Sequence, residues 1–306
     1  MSIFNPTTRR FLTTAAGTTV AAGAAAVAAG WRHTTDFSVD HLSIDCLEPG
    51  ALHGKDAFRI LHISDLHMFG RQDTKTSWLG SLVALEPDLV VNTGDNLGDR
   101  QAVPRVLNAL NGLLTLPGLF VFGNNDYFGP RPVNPLRYLA GKKQPVSGDE
   151  LPWRSLRAGF IERGWLDATH TRQEFTVGDV RIAAAGVDDP HLGKDNYGLI
   201  AGHPNPDADI SLGLTHSPEP HVLDRFAADG YTITVAGHTH GGQICLPTGT
   251  PIVTNCGINR AAARGLSRYK GMWLNVSNGI GTSKYAPIRL FCAPSATLLT
   301  LTEKQA

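Results

Sequence analysis

Five short segments combine carboxylates, imidazoles and amides with glycine, and each follows a run that reads as a β-strand. They are Ser64-Asp65-Leu66-His67, Thr93-Gly94-Asp95-Asn96, Phe122-Gly123-Asn124-Asn125-Asp126, Leu214-Thr215-His216-Ser217 and Ala236-Gly237-His238-Thr239-His240-Gly241-Gly242. Alternate residues at a strand end point the same way, so Asp65 and His67 can offer an oxygen and a ring nitrogen to one ion. The glycines let the backbone approach a ligand closely. Taken singly, each segment reads more readily as a turn or a satisfied polar pair. Taken together, they supply two Asp, one Asn and four His, enough donors for two divalent ions that share a bridging carboxylate.

The elements that must position these residues alternate between strand and helix. The pattern predicts strands at 58–64, 88–92 and 119–122, separated by helices at 76–85 and 103–114. A helix follows at 152–163, then a hairpin around Val177-Gly178-Asp179-Val180, strands at 210–215 and 232–236 flanking a helix near 219–228, and a mostly extended tail at 273–301. Such alternation predicts a parallel α/β organisation, in which ligands sit beyond the carboxyl ends of the strands. Residues 31–306 form one expected domain, interrupted near 129–150 by a Pro/Gly-rich insertion.

Composition bounds the rest. In 306 residues, 42% hydrophobic and 18% charged, there is enough apolar material for one large core, which argues against a disordered or collagen-like chain. Lys plus Arg equals Asp plus Glu at 27 each, so no whole-protein field recruits nucleic acid. Residues 1–30 place Arg9-Arg10 and Phe11-Leu12 before an uncharged Ala/Thr/Gly/Val stretch, the pattern of an export signal. The arginine pair resembles a twin-arginine signal, although the usual spacer between the arginines and Phe-Leu is missing; general secretion and a membrane anchor over residues 11–30 are the alternatives. Export permits disulfides among Cys46, Cys245, Cys256 and Cys292. A Cys245–Cys256 bond across the intervening turn is expected, against two separately buried thiols.

The order Asp65-x-His67, Gly94-Asp95-Asn96, Gly123-Asn124-Asn125-Asp126, His216 and Gly237-His238-x-His240 resembles that of the calcineurin-like metallophosphoesterases, over about residues 56–302. The segments His238-Thr239-His240-Gly241-Gly242-Gln243, Gly281-Thr282-Ser283 and Pro287-Ile288-Arg289 look like an exported bacterial subgroup related to UDP-diacylglucosamine pyrophosphatases and cell-wall phosphodiesterases. The resemblance implies a four-layer α/β/β/α sandwich with a di-metal site at one end of the paired sheets. It assigns Asp65, His67 and His240 to one ion, Asn124, His216 and His238 to the other, and Asp95 to both. Manganese is expected first, with iron or zinc next, because mixed oxygen and imidazole donors suit these ions better than calcium or magnesium. The implied activity is hydrolysis of phosphodiester or pyrophosphate bonds in a phosphorylated small molecule or envelope component. A catalytically silent metal scaffold and a phosphomonoesterase or phosphoprotein phosphatase are the alternatives. The oligomeric state is left open.

One departure concerns chemistry. The family usually carries His where this chain has Asn125, and an amide donates a hydrogen bond but does not transfer a proton at neutral pH. Asn125 therefore biases the enzyme toward good leaving groups or another proton donor. Purple acid phosphatases carry Tyr where this chain has Gly98, so a ferric-tyrosinate site is not expected. Asp188-Asp189 reads either as a site neighbour or as a turn with a helix cap. His62 reads as a satisfied core residue, and His33, His41, His53, His170, His191, His203 and His221 as surface or loop residues. Tyr127, Phe128 and Trp153 suggest a lid or, more simply, aromatic packing; Lys142-Lys143 reads as an exposed charge run.

Overall fold

A computed structural model of the chain describes residues 30–132 and 148–305. The expected export signal, the middle of the insertion and Lys142-Lys143 lie outside the described residues. No helix among the described residues is long and apolar enough to cross a membrane.

Two six-stranded sheets form the centre. The first runs in the order β1 (Ser38–Leu47), β12 (Ser295–Glu303), β2 (Phe58–Ile63), β3 (Leu89–Asn92), β4 (Gly118–Phe120) and β5 (Leu166–Asp167). Its β2 to β5 are parallel, and the β12–β2 pairing is antiparallel. The second runs β10 (Gly265–Tyr269), β11 (Met272–Val276), β9 (Ile233–Ala236), β8 (Ile210–Leu214), β7 (Val180–Gly186) and β6 (Thr171–Val177). There β7, β8, β9 and β11 are parallel and the two edges antiparallel.

The layering follows from strands that are apolar on both faces. Ile60, Leu89, Val91, Leu119 and Val121 point inward and meet Ile182, Leu212, Leu214, Ile233 and Val235 of the second sheet. The alternate residues Leu61, Ile63, Val90 and Phe120 point outward against helices. Those helices are α1 (Asp73–Ser81), α2 (Ala102–Ala109) and α4 (Trp153–Ile161); α3 (Asn124–Tyr127) is a single turn. On α2, Ala102, Val106 and Ala109 recur at helical spacing and form the buried stripe. On the far side, α5 (Pro220–Ala228) lays Val222, Leu223 and Phe226 over the second sheet. The result is an α/β/β/α sandwich. Full burial of each of these aliphatic side chains stabilises it by about 1.5–3 kcal/mol.

The tail differs from its expectation. β11 and β12 are separated by a non-strand stretch over 277–294 that folds back toward the β2 end. β1 and β10 were not foreseen, because β1 alternates exposed and half-buried residues at a sheet edge and lacks an apolar run. The Cys245–Cys256 disulfide is absent: all four cysteines are thiols. The turn does close, but Cys245 bridges Pro251, which leaves Cys256 five residues further on, packed against Leu223 and Ile258.

Close backbone approach sets the spacing of the strand ends. Gly94 has φ +95°, and a Cβ there would fall 2.3 Å from Gly123 N and 2.7 Å from the Phe122 carbonyl carbon. Gly50 has a similar φ of +90° with nothing within 4 Å of its added Cβ. Gly94→Ala should therefore destabilise by roughly 2 kcal/mol more than Gly50→Ala in chemical denaturation; equal losses would show that the clash is relieved elsewhere.

Candidate metal centre

The five segments converge where β2, β3, β4, β8 and β9 end. Asp65, His67, Asp95, His238 and His240 all adopt left-handed backbone conformations, with φ of 54°, 43°, 56°, 70° and 50°. Each such residue costs on the order of 1–3 kcal/mol unless its surroundings dictate the conformation. Here the loops do so by bonding to one another. Asp65 N donates to Gly94 O at 2.8 Å, His67 N to Asp95 O at 2.9 Å, Gly237 N to His216 O at 2.8 Å and Gly281 N to Asp65 O at 2.6 Å.

Asp126 locks the loop after β3 to the loop after β4. Its buried carboxylate accepts from Asp95 N at 2.7 Å, Asn96 N at 2.8 Å and Gly123 N at 3.0 Å. Only a side chain with two acceptor oxygens satisfies three converging donors in this way.

Two groups of donors meet within 4.8 Å: Asp65 with His67 and His240, and Asp65 with Asp95 and His216. Asp95 faces both ways, with Oδ2 3.6 Å from His67 Nε2 and Oδ1 3.5 Å from His216 Nε2. His67 Nε2 and His240 Nε2 stand 3.1 Å apart, and His240 Nε2 lies 3.5 Å from Asp65 Oδ1. The ring of His238 sits 5.2 Å from that of His216. Buried Asn124 Oδ1, His216 Nε2 and His238 Nε2 have no hydrogen-bond partner. Buried lone pairs without partners are costly, and a cation within reach would satisfy them.

The backs of the rings are held. His216 Nδ1 bonds Thr93 O at 2.7 Å; a carbonyl only accepts, so Nδ1 carries a proton and Nε2 is the nitrogen turned to the site. His240 Nδ1 bonds Gly281 O at 3.1 Å. Buried Arg289 donates to the carbonyls of Asn278 and Gly279, each at 2.8 Å, and of Gly281 at 2.7 Å, fixing the segment beneath His240. Burial drives the His67 ring down to about 3, aided by the charges of Lys75, His216 and Arg289, and takes His238 and His240 well below the ordinary range. Burial also pushes Asp95 up to about 7. At His216 burial opposes the charged form, but the carboxylates of Asp95, Asp189 and Asp65 outweigh it and lift the ring to about 9. The site is thus a pocket of buried carboxylates that calls for positive charge, lined by imidazoles mostly in the neutral form that ligates metals.

A family profile described as calcineurin-like phosphoesterase matches residues 58–242. The chain belongs to this family. It is similar to the metallophosphoesterase YkuE of Bacillus subtilis, with 28% identity over 258 residues covering 81% of this chain and 80% of that protein. It is also similar to the phosphodiesterase YaeI of Escherichia coli, with 25% identity over 254 residues covering 80% and 82%. Among solved structures, the phosphopantetheinyl hydrolase PptH of Mycobacterium tuberculosis aligns with a TM-score of 0.41 at 12% identity, over 76% of this chain and 92% of that one. In a calcineurin-like phosphoesterase, the two donor clusters support metal-dependent hydrolysis of phosphoric esters, and they fit a dinuclear divalent-metal site.

Of the seven expected residues, Asp65, His67, Asp95, His216 and His240 form the two donor groups, the His238 ring lies against that of His216, and Asn124 follows Gly123 with a buried, unpartnered Oδ1; Asn125 contacts Asp95. Its Nδ2 and its backbone N donate to the two oxygens of Asp95, each at 2.7 Å. Both readings of Asp188-Asp189 hold in part. Asp189 caps a 3-10 turn by accepting from His191 N at 2.9 Å, while its charge acts on His216. Asp188 accepts from Tyr127 Oη at 2.7 Å, and Tyr127 packs edge-on against Phe122 and Trp153, as aromatic packing rather than a lid. His62 is the satisfied core residue, held by Thr93 at 2.9 Å and Asn275 at 2.8 Å. His191, read as a surface or loop residue, does sit on a loop, in the 3-10 turn Pro190–Leu192, and that loop sets its ring 4.5 Å from that of His238. Lys75 was also missed; it is buried on α1 and donates to Leu66 O at 2.8 Å, between two of the expected ligands.

Asp126→Ala would leave three buried N–H donors without an acceptor. It should lower stability by about 3 kcal/mol or more and deplete bound metal, whereas Asp126→Asn, which keeps one acceptor oxygen, should lose less of both. Denaturation curves and metal analysis of the two variants check this; unchanged metal content in Asp126→Ala would contradict the buttress role.

Proposed function

We propose that the protein hydrolyses phosphodiester or pyrophosphate bonds outside the cytoplasm, on phosphorylated small molecules or envelope components. Two divalent ions, manganese first and iron or zinc next, would serve it. The observation that carries this reading is the position of Asp95, whose two oxygens face the His67 and His216 sides of one buried site. Asp65, His67 and His240 would hold one ion, Asn124, His216 and His238 the other, and Asp95 both. When bound, two ions would supply Lewis acidity at a phosphate oxygen and lower the pKa of a water so that hydroxide is available at neutral pH.

The chain's own groups set the limits of the reaction. Asn125 can donate a hydrogen bond to a phosphate oxygen but cannot protonate a departing alkoxide, so turnover favours leaving groups that depart unprotonated. A cavity of about 530 Å³ opens beside the loop after β3, lined in part by Arg100, Arg131, Lys284 and Tyr285. Its lining also includes Asp99 and Asp149, and Arg100 is paired with Asp149 at 3.5 Å, so the cavity is a polar cleft of mixed charge. Activity on diesters agrees with the name of the phosphodiesterase YaeI. The placement outside the cytoplasm, and the kinship with exported envelope enzymes, rest on residues 1–30 and on the Gly281 to Arg289 motif.

A hydrolysis panel with added manganese tests this reading. A bis-aryl phosphate and UDP-sugars should turn over faster than an aryl monophosphate; no turnover with both ions bound would favour the scaffold reading. Asn125→His should raise the rate on an alkyl phosphodiester by up to roughly 10²–10⁴-fold, with a much smaller gain on the aryl diester. Equal effects on the two would remove the assigned role of Asn125.

A further inference from the structure

Cys245 and Cys292 lie on two segments that run side by side just behind His240. Ile244 bridges Leu290 in parallel, Cys245 N donates to Leu290 O at 2.9 Å, and Leu290 N donates to Gln243 O at 3.0 Å. Both side chains are buried, each 2% exposed. Their sulfurs share one acceptor: Cys245 Sγ lies 3.1 Å from Gly241 O and Cys292 Sγ 3.6 Å from it. Cys292 Sγ is also 3.3 Å from His240 O, so the two sulfurs converge on the same Gly241 carbonyl. Gly241 makes the room, since a Cβ there would meet the Cys292 sulfur at 2.6 Å. The other two cysteines are elsewhere, Cys46 on β1 and Cys256 against Leu223 and Ile258.

We infer that Cys245 and Cys292 are a disulfide site, a covalent staple between the loop that carries His240 and the segment that carries Arg289. The oxidant is a small-molecule or protein disulfide. One cysteine thiolate attacks the donor disulfide and expels one donor thiol; the second cysteine then attacks the mixed disulfide and expels the other. Two protein thiols give up two protons and two electrons, and one donor disulfide becomes two thiols. The new bond closes about 47 residues of chain and removes conformations from the unfolded state. It also holds the Arg289 guanidinium against the Gly281 carbonyl that orients the His240 ring.

The full-length, metal-loaded protein is incubated with oxidised glutathione, its remaining thiols are blocked under denaturing conditions, and its peptides are mapped by mass. The expected result is a Cys245–Cys292 link with Cys46 and Cys256 both blocked. The thermal midpoint should be about 3–7 °C higher than after reduction. That gain should vanish in Cys292→Ser and persist in the double variant Cys46→Ser/Cys256→Ser. Four blocked thiols after oxidation, glutathione retained on either cysteine, or a link that involves Cys256 would each overturn the inference. The peptide map of the unmodified chain decides the question even if the Cys292→Ser variant fails to fold.

Discussion

The burial of four carboxylates away from water is the constraint around which this end of the molecule is arranged. Asp65, Asp95, Asp126 and Asp189 are all buried at one end of the paired sheets. Of these, Asp126 is answered by three backbone N–H groups and Asp189 by a 3-10 turn. Asp65 and Asp95 have partial answers: His238 N donates to Asp65, and the amide of Asn125 to Asp95. Without ions the balance falls on His216, the one ring of the set lifted toward protonation. Divalent cations would discharge the same field more completely, and the lone pairs of Asn124, His216 and His238 that no hydrogen bond reaches are candidates to bind them.

The sandwich makes that concentration of charge tolerable. Strands with apolar residues on both faces fix the ends of β2, β3, β4, β8 and β9 from two sides, so their loops can adopt left-handed conformations at five expected ligands. Glycine supplies the closest approaches, most plainly at Gly94 against Gly123. The stretch over 277–294 completes the end wall, with Arg289 as its internal brace. Rigid placement of this kind keeps donor atoms near ligating geometry before any ion arrives.

Much of this was legible in the residues, for a physical reason. Buried parallel strands read as apolar runs, and ligands at their carboxyl ends read as polar punctuation after each run, so the order of the five segments carried both the fold and the donor set. What was not legible depends on contacts between distant parts of the chain. Asp126 stood in its motif without a role, because the N–H groups it accepts from belong partly to another loop. His191 and Lys75 have no local signal; a loop and a helix bring them to the site. Cys245 and Cys256 are near in sequence, but hairpin register sets Cys245 opposite Pro251 and its sulfur beside Cys292. β1 lacks an apolar run because only part of it is covered.

Asp95, whose two oxygens face His67 and His216, is proposed as the carboxylate that joins the two donor clusters into a single two-ion site. Metal content per folded chain, measured by mass spectrometry of the elements after manganese loading and removal of free metal, tests it most directly when wild type is compared with Asp95→Ala. About two ions are expected in the wild-type protein and a fall below one in the variant, with the fold retained by circular dichroism. Two ions retained by Asp95→Ala, or fewer than one in the wild type at saturating manganese, would contradict it.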